Sequence, residues 1–411
     1  MRTKKIKTRT LANQRVRHPI ILLNQNWIKI WAHFGRAAMR NRTVRILMGL
    51  LLVAFGASTR SHGQEKAPIR VAVVGLVHGH VHSLFHMLPE HQNVILVSIY
   101  EPQKPLAEQY AKQYHLEAVP VYNDLEKMLA EQKPDAVLIY STIVDHRKII
   151  QAVAKRGISS MVEKPLSTTL EDAVAIRKAA REHHVQVLVN YFTTWQASSW
   201  ELYDEAANGK LGDLRRLIAH TGHRGPKEIG VGPEWLPWLT DPIQNGGGAL
   251  FDFGCYGADF ATVLMHGQAP ISVSAIAQTE KPDVYPKVDD DATLILRYPK
   301  AQAVLMPSWN WPFSRNDIEL YGATGYAATT SAEKLRVRYA GDKEESTISA
   351  PAAPKAKSNS LDYLAAVLHG EIKPDGDPSS LETNLVVVQI LDAARKSAET
   401  GKTVNLTKLP E

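Results

Sequence analysis

From Ile69 onward, short continuous runs of apolar, largely β-branched residues alternate with stretches whose apolar positions recur every three or four residues. The runs Ile69–Val74, Val94–Tyr100, Ala136–Tyr140, Ile158–Val162 and Val185–Val189 suit strands buried on both faces. Helical periodicity fills the intervals His80–Leu88, Lys104–Tyr114, Leu125–Gln132, His146–Lys155 and Glu171–His183. Thr168, with Glu171 three residues on, predicts a capping box for the last of them. Strands and helices alternating at this spacing predict βαβ units with right-handed crossovers, and so an α/β domain with a doubly wound parallel sheet over residues 68–190.

Past Asn190 the pattern changes. Leu214–Thr221, Ile271–Gln278, Ala292–Tyr298, Ala303–Trp309, Asp317–Tyr321 and Leu335–Tyr339 alternate apolar with polar positions, which predicts strands of a mainly antiparallel sheet with one exposed face. Helices are expected over Trp200–Asn208, Gly248–His266, Leu361–His369 and Leu381–Thr400, with Ser349–Ser358 a surface loop. Residues 191–411 thus read as a second, α+β domain.

A chain of 411 residues with 44% apolar content fills two or three cores, and its prolines and glycines follow no period, so disordered, collagen-like and solenoid classes are excluded. The net charge of +6 is a sum of opposites: residues 1–66 carry +13 and the remainder −7. The acidic body argues against a nucleic-acid partner. Within the leader, Arg40, Arg42 and Arg45 precede the apolar run Ile46–Ala57 and the small, polar stretch Ser58–Gln64, the layout of a signal peptide over residues 39–63 starting near Met39. Residues 1–38 are expected to be an over-extended or disordered start. The apolar run falls short of about 20 spanning residues, so no stable membrane span is expected after processing. The expected location is periplasmic or secreted, with the cytoplasm as the alternative. Cys255 is the sole cysteine and excludes an intramolecular disulfide.

Candidate chemistry begins at Gly75-Leu-Val77-His78-Gly79-His80. This loop leaves the first strand and opens a helix, where backbone N–H groups meet a dinucleotide pyrophosphate in Rossmann folds. Val77 and His80 stand where that motif's second and third glycines belong, and a plain tight turn is the competing reading. Glu101, ending the second strand, is placed to accept hydrogen bonds from the adenosine ribose, which favours NAD with NADP as the alternative. His78, His80, His82 and His86 crowd the loop and first helix. Helical spacing brings only His78/His82 and His82/His86 onto common faces, no carboxylate or cysteine cluster is adjacent in sequence, and no metal is expected.

The fifth strand ends in Met161-Val-Glu163-Lys164-Pro165, at the sheet edge where doubly wound folds bind ligands. A lysine there can stabilise a developing alkoxide, and its bond to proline can be cis. In Gly246-Gly-Gly-Ala-Leu-Phe-Asp252-Phe-Gly-Cys-Tyr256, Asp252 and Tyr256 stand four apart on one helix face. Facing Lys164, they form a proton-handling trio: Tyr256 as acid/base, Asp252 orienting substrate, Lys164 favouring the phenolate.

The order of these motifs resembles the Gfo/Idh/MocA oxidoreductase family over nearly all of residues 68–407, most specifically in Glu163-Lys164-Pro165 and the Gly-Gly-Gly…Asp252-x-Gly254-x-Tyr256 helix. Many members have histidine where this chain has Tyr256; the tyrosine form is similar to glucose–fructose oxidoreductase-like members. The family's Thr-Pro-Asn-x-x-His after the fourth strand appears as Ser141-Thr142-Ile-Val-Asp-His146. The resemblance implies a Rossmann domain and a second domain whose large open sheet often forms a homo-oligomer interface. It further implies NAD(P)-dependent oxidation or reduction of sugars and polyols, with cofactor contacts from the 75–80 loop, Glu101, Ser141, Thr142, His146, Glu163 and Lys164.

Tyr191, His223, Arg224, Trp235 and Trp238 are candidates for a sugar pocket, with core packing the equal alternative for the two tryptophans. The leading reading is a hydride-transferring dehydrogenase acting on a sugar or polyol hydroxyl carbon. The alternatives are redox-assisted glycoside cleavage and a non-catalytic sugar or nucleotide sensor.

Overall fold

The computed structural model describes residues 66–409; the signal peptide expected over residues 39–63 and the segment before it lie outside them. The first sheet contains β1 (Ile69–Val74), β2 (Val94–Tyr100), β3 (Val121–Tyr122), β4 (Ala136–Ile139), β5 (Ser159–Glu163) and β6 (Val187–Asn190). Their order is β3-β2-β1-β4-β5-β6, and the pairs are parallel. Because β2 and β4 flank β1, the chain leaves β1 and β4 in opposite directions and opens the crevice at their carboxyl ends where such folds bind ligands.

The crossovers are α1 (Val81–Met87), α2 (Lys104–Gln113), α3 (Leu125–Gln132), α4 (His146–Ala154) and α5 (Leu170–His183). The cap of α5 differs from expectation by one residue: Thr169 Oγ1 accepts from Asp172 N at 3.1 Å, while Thr168 is buried and its carbonyl accepts from Arg395. Either hydroxyl suits the spacing, and packing of Thr168 decides between them.

The second sheet has nine strands, β14-β13-β12-β11-β7-β10-β9-β8-β15. Its order is built from β7 (Leu214–Gly222), β8 (Ser272–Gln278), β9 (Asp291–Arg297), β10 (Gln302–Ser308), β11 (Arg315–Gly322), β12 (Gly325–Ser331), β13 (Lys334–Tyr339), β14 (Ser346–Ser349) and β15 (Val404–Asn405). Only β7 and β10 run parallel; the other neighbours are antiparallel. Buried and exposed positions alternate along β9 and β13, as a half-covered sheet requires.

The remaining helices are α6 (Ala197–Ala207), α7 (Leu236–Leu239), α8 (Ala249–Asp252), α9 (Gly254–Leu264), α10 (Ser360–Leu368) and α11 (Leu381–Thr400). The helix expected over 248–266 is broken at Phe253 into α8 and α9. Both pack on the buried face of the second sheet together with α11, and one apolar core runs from the first sheet through these helices into the second. No helix among the described residues is long and apolar enough to cross a membrane.

Candidate active site

Two elements far apart in sequence converge. β5 ends at Glu163, delivering Lys164 to the sheet edge with the Lys164–Pro165 bond cis. From the loop before β9, Asp289 fixes the start of α8: its carboxylate accepts from Gly248 N (2.9 Å) and Leu250 N (2.7 Å). Gly248 allows this, since a Cβ there would stand 1.7 Å from the Asp289 carbonyl oxygen. The helix start so fixed carries Asp252 to Lys164.

Lys164 Nζ donates to Asp252 Oδ1 at 2.5 Å and to the Asp252 carbonyl at 3.0 Å. Both side chains are buried. The other carboxylate oxygen, Oδ2, accepts from the Trp309 indole at 3.0 Å. Burial opposes both charges, but their mutual attraction prevails, lifting the lysine and lowering the aspartate from their ordinary values. The pair is ionised.

Tyr256 joins the site differently from the sequence expectation. Lys164 Nζ lies over the face of its ring, 5.2 Å from the centroid, and two of its three donors go to Asp252. Burial, with Cys255 and Asp252 adding to it, pushes the phenol well above its ordinary range. This favours the protonated phenol over the lysine-stabilised phenolate expected from the sequence.

Around the trio is a cavity of about 300 Å³ lined by Lys164, Asp252, Tyr256, His80, His223, Trp235 and Asn316, among others. His223 Nδ1 accepts from Gly225 N, so its neutral ring presents an N–H at Nε2. Asn316 Oδ1 and Trp235 Nε1 have no protein partner. Asn316, Trp309 and Asp289 carry no motif, and sequence reading missed them; Trp309 showed only as the end of an expected strand.

Two expected substrate contacts are corrected. Tyr191 is fully buried, donates to Asn384 Oδ1 at 2.8 Å and packs edge-on against Tyr256 at 5.4 Å, so it braces the phenol from behind. Arg224 is exposed and lies outside the cavity; its carbonyl accepts from Lys281.

The expected dinucleotide contacts divide as well. Gly75 has φ +85°, and a Cβ there would lie 3.0 Å from the Ser141 backbone and the Tyr140 carbonyl. That is the tight turn a dinucleotide loop needs. Glu101 is turned inward: its oxygens accept from Leu76 N (2.8 Å) and Gln103 N (2.9 Å), and it is 2% exposed. It ties the loop to the end of β2 and keeps spare lone pairs for a ribose. Ser141 is buried and Thr142 half-buried, the latter donating to Asp145. His146 is fully enclosed, with Nδ1 at the Leu166 carbonyl and Nε2 unpartnered. Burial brings it down to about 4, and it supports the turn after β5 as a neutral ring.

Over the loop lie two tryptophans. Trp238 donates to the Val77 carbonyl at 3.2 Å, and a Cβ on Gly79 would come 2.2 Å from the Trp235 ring. His78 is buried between these rings and His80; burial first, then His80 and Lys164, push it well below its ordinary value. The turn, the carboxylate and the strand-end lysine fit NAD. Backbone access at Gly79 requires Trp235 to move.

The histidines do not follow helical spacing, because α1 starts at Val81 and residues 78 and 80 lie before it. His80 Nδ1 is 2.9 Å and His78 Nε2 4.0 Å from Glu163 Oε2, so a carboxylate distant in sequence joins them. His82 instead contacts Tyr110 and Tyr114.

The model for the oxidoreductase family with an NAD-binding Rossmann fold matches residues 69–191, and that for the GFO/IDH/MocA C-terminal domain matches 201–328. Trans-1,2-dihydrobenzene-1,2-diol dehydrogenase of Bos taurus is 25% identical over 231 residues, 56% of this chain and 64% of that protein. The match thus spans less than two thirds of that relative. 1,5-Anhydro-D-fructose reductase of Ensifer adhaerens is 25% identical, covering 69% of this chain and 83% of its own. The structure of an inositol dehydrogenase homologue from Azotobacter vinelandii, complexed with NAD+, has a TM-score of 0.71 at 20% identity, covering 84% of this chain and 98% of that one. Aldose-aldose oxidoreductase from Caulobacter crescentus, complexed with glycerol, has a TM-score of 0.70 at 21% identity, covering 82% and 100%. With both family models matched in sequence along two sheets of this topology, the chain belongs to the Gfo/Idh/MocA family of NAD-binding Rossmann oxidoreductases.

Proposed function

We propose that this protein is an NAD-dependent dehydrogenase acting on a hydroxyl-bearing carbon of a sugar or polyol. The carrying observation is the convergence of Lys164, from the end of a Rossmann strand, with Asp252 and Tyr256, from the helical cover of the second sheet, on one cavity. NAD, when bound, takes up or gives the hydride; the turn at Gly75, Glu101 and the β4 and β5 strand ends would hold it.

Lys164 keeps its charge at every physiological pH because Asp252 compensates it, and a fixed ammonium beside the cavity stabilises negative charge developing on a substrate oxygen. Tyr256, being protonated, donates a hydrogen bond to that oxygen as negative charge develops on it. Asp252 is the counter-charge that aims Lys164. The unpaired Asn316 Oδ1 and Trp235 Nε1, with the His223 N–H, offer an acceptor and two donors. The faces of Trp235 and Phe253 supply apolar walls. Mixed donors and acceptors against aromatic faces suit a polyhydroxylated ring.

Mass spectrometry of ligand released from purified protein tests the cofactor. A panel of pyranoses and polyols, followed by NADH formation, tests the reaction. Lys164→Ala and Tyr256→Phe should each lower turnover by about a hundred-fold or more while leaving circular dichroism unchanged. Full activity in both variants would sink the assignment.

A further inference from the structure

Oxidation of a hydroxyl releases a proton, and the groups just described leave it nowhere to go. Lys164 donates to Asp252, whose two carboxylate oxygens are held by Lys164 and Trp309. Tyr256 is already protonated. His223, with Nδ1 accepting from Gly225 N, carries its hydrogen on the nitrogen left for the cavity.

One titratable group on the cavity wall remains. We propose that His80, oriented by Glu163, is the general base for the oxidation direction; the inference rests on the hydride-transfer reading above. Glu163 is 1% exposed. Its Oε1 accepts from the Asn190 amide at 2.7 Å, and the Asn190 carbonyl oxygen accepts in turn from the Trp195 indole at 2.9 Å. Its Oε2 lies 2.9 Å from His80 Nδ1. An ionised carboxylate can only accept, so Nδ1 donates and Nε2 keeps its lone pair. The imidazole is about one-third exposed, with the side chain at 34%, and it lines the cavity. The ring of His78, 4.6 Å away, packs against it.

A buried carboxylate that fixes the tautomer and faces the imidazolium once it forms is the logic of hydrolytic triads. In the step, the substrate O–H bond breaks and its proton passes to Nε2. The released electron pair becomes the C=O π bond as hydride leaves the same carbon for the oxidised nicotinamide. The charged groups facing His80 are Glu163, beside Nδ1, and Lys164 on the same cavity wall; His78 is held neutral. Position 80 holds glycine in the usual dinucleotide loop, so this base is a feature of the present chain.

The test uses the full chain loaded with NAD. His80→Ala should lower kcat/KM for oxidation by about a hundred- to ten-thousand-fold, and added imidazole should restore part of the loss. His80→Gln should lose the same activity without rescue. Glu163→Gln should fall by a smaller factor. Independently of turnover, 15N spectra of histidine-labelled protein should show His80 as the Nδ1–H tautomer, altered in Glu163→Gln. Oxidation within threefold of wild type in His80→Gln, or an Nε2–H tautomer, overturns the proposal. So does one equivalent of bound divalent metal whose removal abolishes activity, because His78, His80 and Glu163 each place a donor atom within 4.8 Å of the others and a ligated His80 has no lone pair to offer. If the wild-type protein reduces NAD with no polyol although NAD is bound, the hydride-transfer reading itself fails and this step with it; the tautomer result shows which has failed.

Discussion

Lys164 Nζ and Asp252 Oδ1 lie 2.5 Å apart in a setting where the two side chains are 4% and 7% exposed. The bond joins the end of the parallel sheet to the first turn of the helix pair covering the other sheet. Neither charge is tolerable alone at this depth, because an unpaired buried ion keeps its desolvation cost without its attraction.

Lys164→Met should therefore destabilise the protein by about 3–5 kcal/mol, as should Asp252→Leu. The double variant should be more stable than either single one, since the interior then holds no uncompensated charge. Urea unfolding of the four proteins measures this. Strictly additive losses would show that the pair is not a coupled unit in the fold.

Gly248→Ala probes the route by which Asp252 is aimed. Its new Cβ would meet the Asp289 carbonyl oxygen at 1.7 Å, so either the 289 loop or the start of the helix must shift. Displacements of about 1 Å near reacting groups can cost a hundred-fold in rate. The expected result is a severe loss of turnover with a smaller fall in thermal midpoint. An unchanged kcat would show that the helix start does not aim the site.

How much of this was legible beforehand depended on whether a residue's partners were local. The apolar runs of β1 and β2 and the helix over Leu125–Gln132 matched residue for residue, because continuous apolar stretches and clean periods state their own structure. β12, Gly-Tyr-Ala-Ala-Thr-Thr-Ser, has too little hydrophobic contrast to announce itself; β11 and β13 on either side make it a strand. Lys164, Asp252 and Tyr256 were legible as motifs. The tyrosine's protonation state was not, because it follows from how deeply the fold buries the phenol. The His80–Glu163 contact spans 83 residues of sequence, and treating residue 80 as part of a helix hid it.

Acid stability should depend on Asp317. It pairs across strands with His220, accepts from Arg315 at 2.9 and 2.5 Å and lies 3.1 Å from His220 Nδ1. Partial burial works to raise its carboxyl, but His220 and Arg315 outweigh that and hold it down to about 2. A depressed folded value means stability is fully present above the unfolded value of about 3.9 and is lost as pH falls toward 2. Asp317→Asn should thus be less stable than wild type at pH 7, with the gap closing near pH 2. Denaturant midpoints at both pH values check this; a constant gap would mean the carboxylate's ionisation is not involved.

Trp235 should report cofactor entry. Its ring stands 2.2 Å from where a Gly79 Cβ would be, and Trp238 is tied to the Val77 carbonyl, so both indoles cover the loop that a dinucleotide must reach. An indole displaced from its stack with His78 changes its surroundings. Tryptophan emission should therefore shift on titration with NAD, and most of the shift should vanish in Trp235→Phe. Trp235→Ala, with the loop uncovered, should take up NAD faster in stopped-flow mixing. Emission that stays constant while mass spectrometry shows the cofactor bound would mean that NAD enters without displacing the ring, by a path that leaves Gly79 covered.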